Sequence, residues 1–140
     1  MMHQPHIPRR YIPAGLTRKD AKKQRRMILQ SRRLYKRGLF QTRKRVGSFH
    51  NRRSHHVRKA QRMYGVDTIA PTPTLARATG CSVRALREIV RKGEGAYYSS
   101  GSRPNQTPQS WGRARLASAI TSGKAATVDR DILERGCRRN

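Results

Sequence analysis

The stretch TLARATGCSVRALREIVRKGEGAYYSSGSRPNQT, residues 74–107, is the strongest indication of the fold in this chain. Leu75 and Leu86 belong to apolar runs that recur at helical spacing on either side of Gly80, which predicts two short helices joined by a turn. Gly80 suits the turn because glycine adopts the left-handed conformation that ends many helices. Ser82 is a suitable N-cap for the second helix. The pattern therefore predicts a helical hairpin.

The outer face of the second predicted helix carries four cations: Arg84, Arg87, Arg91 and Lys92. Small residues at the turn would let the two helices cross closely. Over about twenty residues the spacing resembles the repressor-type helix-turn-helix, whose second helix enters the DNA major groove. A plain αα-hairpin that packs in a small core and never touches DNA is the alternative interpretation.

The second half of the stretch, from residue 93 onwards, is predicted to be a loop because Gly and Ser dominate it. Backbone N–H groups, hydroxyls and flanking charge predict an anion-binding nest for a phosphate. The side chains expected to surround the anion are Lys92, Ser99, Ser100, Ser102 and Arg103. A simple turn is the alternative. Tyr97 and Tyr98 would either stack on bases or fill the core.

Outside this stretch, glycines and N-cap residues, among them Thr17 and Ser54, delimit further helices at about 17–36, 55–63, 109–122 and 126–135, so the predicted fold is all-α. Basic N-terminal helices precede a small helical domain that contains the hairpin. The predicted segments are an extended arm (1–16), a basic helical segment (17–65), a linker (66–72), a compact helical module (73–137) and a basic tail (138–140). The predicted core of the module comprises Leu75, Ala76, Cys81, Leu86, Ile89, Val90, Trp111, Leu116, Ile120, Val128, Ile132 and Leu133.

The charge of the chain is its strongest functional signal. Lys and Arg number 33 against 7 Asp and Glu, a net charge of +26. Residues 1–65 hold 20 of these cations and one acid. Such a surplus repels itself unless a polyanion neutralises it, and nucleic acid is the best candidate, with duplex DNA favoured. Further phosphate-binding candidates are Lys22, Lys23, Arg25, Arg26, Arg43, Lys44, Arg45, Arg52 and Arg53.

Other features narrow the expected location. No stretch approaches the roughly 18 apolar residues of a membrane span, and few aromatic residues are present for a membrane-surface helix. The N-terminus lacks the apolar core of a signal peptide, so we expect a protein that is not secreted. Cys81 and Cys137 fit a reduced compartment or small core positions better than a disulfide framework.

Several motifs, which together span most of the chain, resemble those of a known protein family. They are RYIPAGLTRKD (10–20), SHHVRKAQRMYGV (54–66), KGEGAYYSSGSRPNQT (92–107), SWGRARLASAI (110–120) and GKAATVD (123–129). The chain resembles a family of small, basic, uncharacterised proteins encoded by large DNA viruses of algae and protists. The resemblance implies a virus-encoded protein located in the virion interior or in the host nucleus or cytoplasm. It implies no catalytic residues.

Catalysis needs converging groups that the sequence does not suggest. Asp131 and Glu134 could share a helix face, but charge balance on a solvated helix explains them. The two cysteines lack partners at zinc spacing. We therefore expect no enzyme, metal or cofactor, and predict a binder that packages or condenses DNA. The alternative is a capsid-associated cement protein that contacts capsid proteins; lesser alternatives are an RNA binder, a small nuclease or a recombination factor.

Overall fold

The computed structural model describes residues 6–50 and 54–138, and within them every regular element is helical. A 3-10 helix, Arg9–Tyr11, precedes seven α-helices. These are α1 (Arg18–Lys36), α2 (His55–Tyr64), α3 (Pro73–Thr79), α4 (Val83–Ser99), α5 (Pro108–Ile120), α6 (Lys124–Val128) and α7 (Arg130–Gly136). The predicted all-α fold is confirmed. No helix in the described part of the chain is long and apolar enough to cross a membrane.

Hydroxyl caps begin three of the helices at the predicted residues. The Thr17 hydroxyl accepts a hydrogen bond from the Asp20 backbone N–H at 3.1 Å, and Ser54 accepts one from Val57 at 3.4 Å. Ser82 accepts from the Ala85 N–H at 3.1 Å. Each hydroxyl satisfies an N–H group that has no partner within its own helix. These local signals explain why the starts of α1, α2 and α4 were predictable.

The predicted start of the loop at residue 93 is wrong, because α4 continues to Ser99 and only residues 100–107 lie outside a helix. Gly93 does not stop the helix; it lies where the backbone of α5 passes closest. A Cβ atom on Gly93 would lie 2.6 Å from the Gly112 Cα atom. The helix ends later, where the N–H groups of Ser100 and Gly101 both bond to the Ala96 carbonyl. The glycine at 93 thus serves helix packing rather than chain reversal.

The single helix predicted at 126–135 is also wrong, because the chain forms α6 and α7 with a break at Asp129. The Asp129 side chain is fully buried and bonded to Arg115, with Nε–Oδ2 and Nη2–Oδ1 distances of 2.9 and 2.8 Å. This bidentate, charge-assisted pair fixes the bend at Asp129. Its two members are 14 residues apart in the sequence. As a consequence Val128, predicted to be in the core, is 68% exposed.

The chain divides into two compact units, and α4 contributes residues to both. Unit 1 comprises residues 1–51 and 95–108, and unit 2 comprises residues 52–94 and 109–140. The residues of the predicted arm that the structure describes belong to unit 1, where Tyr11 is buried.

Unit 2 has an apolar core made by side chains from most of its helices. Leu75, Leu86, Ile89 and Leu116 are fully buried, and Ile132 nearly so. The remaining buried members are Ala60, Ile69, Cys81, Ala85, Ala117, Ala119 and Ile120. Most of the predicted core is therefore buried; Ala76, Val90, Trp111 and Leu133 are partly exposed.

The two cysteines form a disulfide, so the expectation that they stay unpaired is wrong. Cys81 and Cys137 are bonded although 56 residues separate them in sequence. Backbone hydrogen bonds run beside the disulfide, from the Ser82 N–H to the Gly136 carbonyl and from the Arg138 N–H to the Gly80 carbonyl. The chain that follows α7 thus returns to the α3–α4 turn. Two isolated cysteines in a sequence give no indication of this proximity.

Candidate nucleic-acid interface

The turn between α3 and α4 has the geometry that the sequence indicated. Gly80 has φ +78°, in the left-handed region, and its N–H bonds to the Ala76 carbonyl. The Thr79 hydroxyl donates to the Leu75 carbonyl and accepts from the Cys81 N–H. Each of these polar groups at the turn has a local partner, so α4 begins in a defined direction.

The outer face of α4 is cationic. Arg84, Arg87, Arg91 and Lys92 are exposed, whereas Leu86 and Ile89 on the opposite face are buried. The predicted orientation of the helix is confirmed. Arg84, Arg87 and Arg91 follow one another at i, i+3 and i+7, so they line one face over about 10 Å. Three guanidinium groups in a row can contact successive phosphates of a nucleic-acid backbone.

A shallow pocket of about 580 Å³ lies beside the same turn in unit 2. Its lining includes Gly80, Ser82 and three arginines, Arg77, Arg135 and Arg138. All three arginines are exposed. These arginines were not predicted from the sequence. They come together only because the disulfide and the backbone hydrogen bonds beside it bring the chain after α7 to the turn. They extend the cationic character of the α3–α4 region.

The residues of the predicted anion nest have divergent surroundings. Ser99 closes α4, and Ser100 follows it; both are exposed, as are Lys92 and Arg103. Ser102 is buried: its hydroxyl accepts from Arg43 Nη2 at 2.9 Å and donates to the Arg103 carbonyl at 2.8 Å. Because residues 93–99 are helical, the loop on which the nest was predicted is shortened to residues 100–107.

Arg43 is buried at the centre of unit 1, only 8% exposed. Its Nη1 donates to the Ser31 hydroxyl at 3.0 Å and to the Tyr97 carbonyl at 2.8 Å, and its Nη2 donates to Ser102. Its guanidinium carbon lies 3.7 Å from the Tyr97 ring centroid. Burial lowers the pKa of Arg43, and the nearby Tyr97 opposes that shift. The guanidinium is therefore engaged by Ser31, Tyr97 and Ser102 inside unit 1 and is not exposed to a phosphate.

The other predicted cations of unit 1 lie nearer the surface. Lys22, Arg26, Lys44 and Arg45 are exposed, while Lys23 and Arg25 are partly buried. Lys23 Nζ donates to the Arg45 carbonyl at 3.4 Å. Arg52 and Arg53, also predicted to bind, lie outside the described residues.

Tyr97 and Tyr98 differ in their surroundings. Tyr97 is fully buried, and its hydroxyl accepts a hydrogen bond from the Arg43 backbone N–H at 2.7 Å. It therefore fills the core of unit 1, as one of the two sequence interpretations had it. Tyr98 is partly exposed and stacks with other rings at the surface. The two tyrosines are adjacent in the sequence, and only the packing of the helix gives them different surroundings.

His, Cys, Asp and Glu side chains do not cluster in the part of the chain that the structure describes. No group of three or more His, Cys, Asp or Glu is placed to hold a metal ion there. Asp129 is occupied by Arg115, and both cysteines are in the disulfide.

These features define a small, strongly basic, all-helical protein with an exposed cationic helix after a tight turn. The chain belongs to a family of unknown function, DUF5824, whose model matches residues 8–134. No curated protein and no solved structure matches the chain.

Proposed function

We propose that this protein binds nucleic acid without catalysing a reaction, and that it contacts duplex DNA mainly through phosphates. The observation that carries the proposal is the row of exposed arginines on α4, in a chain of net charge +26. Phosphate contacts supply most of the sequence-independent affinity of DNA-binding proteins. We therefore expect little preference for base sequence.

The geometry around α4 supports groove or backbone docking. Ser82 and Gly80 set the start of the helix, and the arginines of the neighbouring pocket add charge beside it. In a helix-turn-helix the second helix contacts DNA in this way. A role in packaging or condensing DNA follows from binding that ignores sequence. A viral origin and a location in the virion or host cell belong to the same proposal, and they rest on the sequence resemblance alone.

The proposal is tested by measuring the affinity for a random-sequence duplex across a salt series. If about six phosphates are neutralised, log K should fall against log salt with a slope near −5. The triple variant Arg84→Gln, Arg87→Gln, Arg91→Gln should bind more weakly. Its slope should be shallower by about 0.9 for each phosphate that the variant no longer neutralises.

The matched control is Arg130→Gln, which removes one exposed arginine from another helix of unit 2. It should weaken binding less than Arg84→Gln, Arg87→Gln or Arg91→Gln made as a single substitution on α4. Absence of binding at low salt would overturn the proposal, and so would affinity that does not depend on salt. An equal effect of Arg130→Gln and the single α4 variants would remove α4 from the interface.

A second candidate function, a capsid-associated structural protein, is favoured by exposed apolar residues. Leu39, Phe40, Met63 and Val128 are each at least half exposed. Such residues often mark protein contacts. Salt-insensitive association with capsid protein, without affinity for DNA, would favour this candidate.

A further inference from the structure

Three aromatic rings meet at the surface of unit 1, and we call Tyr35, Phe40 and Tyr98 the aromatic platform. The Tyr35 and Tyr98 rings are nearly parallel, 5° apart, with centroids separated by 6.1 Å. The Phe40 ring lies 5.2 Å from Tyr98 and 5.9 Å from Tyr35. Phe40 is 67% exposed and its neighbour Leu39 is 50% exposed. Most of the Phe40 ring is therefore available for contact with another molecule.

A hydrogen-bonded turn directly precedes Phe40. After α1 ends, Gly38 adopts φ +77° and its N–H bonds to the Tyr35 carbonyl at 2.9 Å. The Leu39 N–H bonds to the Leu34 carbonyl, also at 2.9 Å. This pair of bonds is the Schellman motif, which ends a helix in a fixed geometry. The backbone is thus fixed as far as Leu39, the residue before Phe40, and the Phe40 ring lies beside the rings of Tyr35 and Tyr98.

Two members of the platform, Tyr35 and Phe40, belong to a strongly cationic segment of unit 1. Residues 32–45 contain seven Lys or Arg and no acid. Arg33, Lys36, Arg37 and Lys44 are exposed, and each lies within four residues of Tyr35 or Phe40 in the sequence. A ligand that fits this surface needs a flat apolar face and adjacent negative charge. A nucleotide of a single strand has both, because its base is planar and its phosphate is anionic.

We propose that the aromatic platform stacks with an unpaired nucleobase, while flanking cations contact the adjacent phosphates. The inference rests on the proposed nucleic-acid binding and extends it from duplex to single-stranded segments. Base stacking on aromatic side chains tolerates any sequence, since every base has a π face. The platform therefore adds affinity for unpaired nucleotides without adding sequence preference.

The test compares two labelled single-stranded probes of equal length, a thymidine oligonucleotide and the same deoxyribose-phosphate chain without bases. Phe40→Ala should weaken binding of the thymidine probe by about fivefold to 100-fold, the usual effect of removing one stacking ring. It should leave binding of the abasic probe unchanged. Phe40→Leu, which keeps apolar area but lacks a π face, should resemble Phe40→Ala, whereas Phe40→Trp should bind at least as tightly as the wild type.

The salt dependence separates stacking from charge. Phe40→Ala should not change the slope of log K against log salt, because the ring neutralises no phosphate. Lys44→Ala, a matched substitution in the same segment, should make the slope shallower by about 0.7. Because Phe40 is mostly exposed, the melting temperature of Phe40→Ala should stay close to that of the wild type.

The outcomes distinguish the two proposals. If the wild type binds the thymidine probe and Phe40→Ala binds it equally, the platform is refuted while nucleic-acid binding stands. If the wild type binds neither single-stranded probe nor duplex, the proposed function itself fails. If Phe40→Ala weakens binding to anionic phospholipid vesicles but not to the thymidine probe, the platform serves a membrane surface and the inference is overturned.

Discussion

Arg43 shows that a residue whose neighbours in the sequence suggest a binding site can have the role of a core residue. Its position in a run of cations suggested phosphate contact, yet its guanidinium lies over Tyr97 and donates to three oxygen acceptors. A guanidinium suits this role because its planar fork can serve several acceptors at once. The neighbouring Lys44 is exposed, so adjacent cations in the sequence have opposite roles.

Arg43→Ala should therefore destabilise the protein by about 2–4 kcal/mol, because buried acceptors are left without charged donors and a cavity forms. Thermal or urea denaturation measures the change. Lys44→Ala is the control and should alter stability by less than about 0.5 kcal/mol. If the two variants were equally stable, the buried network of Arg43 would have no energetic role.

Asp20 links the start of α1 to Ser48. Its Oδ2 accepts a hydrogen bond from the Ser48 N–H at 2.9 Å and one from the Ser48 hydroxyl, which in turn accepts from the Thr17 N–H at 3.1 Å. These hydrogen bonds lower the pKa of Asp20 below its ordinary value of 3.8, the side-chain bond from Ser48 most strongly. The folded protein therefore favours the ionised carboxylate.

The sign of this shift predicts a stability change in acid. Because the folded-state pKa is depressed, the stabilisation is present above pH 3.8 and is lost as the pH falls through the folded-state pKa. Asp20→Asn should thus have a lower melting temperature than the wild type at neutral pH, and the difference should shrink below pH 3.8. The exposed Asp67→Asn is the control. A difference that is constant with pH would contradict the assigned role of the carboxylate.

Among the elements, α4 and α5 are the pair whose packing could not be anticipated. They approach at Gly93 and Gly112, where added Cβ atoms would lie 2.6 Å from the Gly112 Cα atom and from the Val90 carbonyl oxygen. Glycine is required at both positions because backbone, rather than a movable side chain, fills the space. Glycines within a helical pattern predict a break in the helix, whereas in the structure these two glycines are where the helices contact each other.

Gly93→Ala should destabilise the protein by about 2–3 kcal/mol, because the two helices must move apart. Gly95→Ala is a matched control two positions along α4, where the nearest atom, the Tyr35 hydroxyl oxygen, would be 4.0 Å away. That variant should gain up to about 1 kcal/mol from the higher helix propensity of alanine. Equal effects of the two substitutions on the melting temperature would refute the close contact.

For the molecule as a whole, the disulfide compensates in part for the electrostatic repulsion among the many like charges. A net charge of +26 opposes compaction in the absence of a polyanion. The disulfide closes a loop of 56 residues, which reduces the conformational entropy of the unfolded chain. The stability of unit 2 should therefore depend on the redox state of its surroundings.

Reduction of the disulfide should lower the free energy of unfolding by about 2–4 kcal/mol. Melting temperatures measured with and without a thiol reductant give the change. The double variant Cys81→Ser, Cys137→Ser should melt near the reduced wild type and show no response to the reductant. A wild type that is insensitive to the reductant, with both thiols free by mass analysis, would exclude the bond.

Local sequence signals were sufficient to predict the all-helical class, the starts of α1, α2 and α4, and the outward orientation of the α4 arginines. These features depend on groups within about four residues of each other, such as a capping hydroxyl and the N–H it accepts from, or apolar residues at helical spacing. The cationic face follows as well, since residues between buried positions on an amphipathic helix must face solvent.

Contacts between residues distant in sequence determine which glycines are packing contacts, which arginine is buried, where α6 and α7 divide and whether the two cysteines pair. Gly93 with Gly112, Arg115 with Asp129, and Cys81 with Cys137 are separated by 14 to 56 residues. Their chemistry is determined by three-dimensional proximity, because a hydrogen bond or close contact acts over a few ångströms, whatever the sequence separation. The platform of Tyr35, Phe40 and Tyr98 arises in the same way, since α1 and α4 must pack before the three rings can meet.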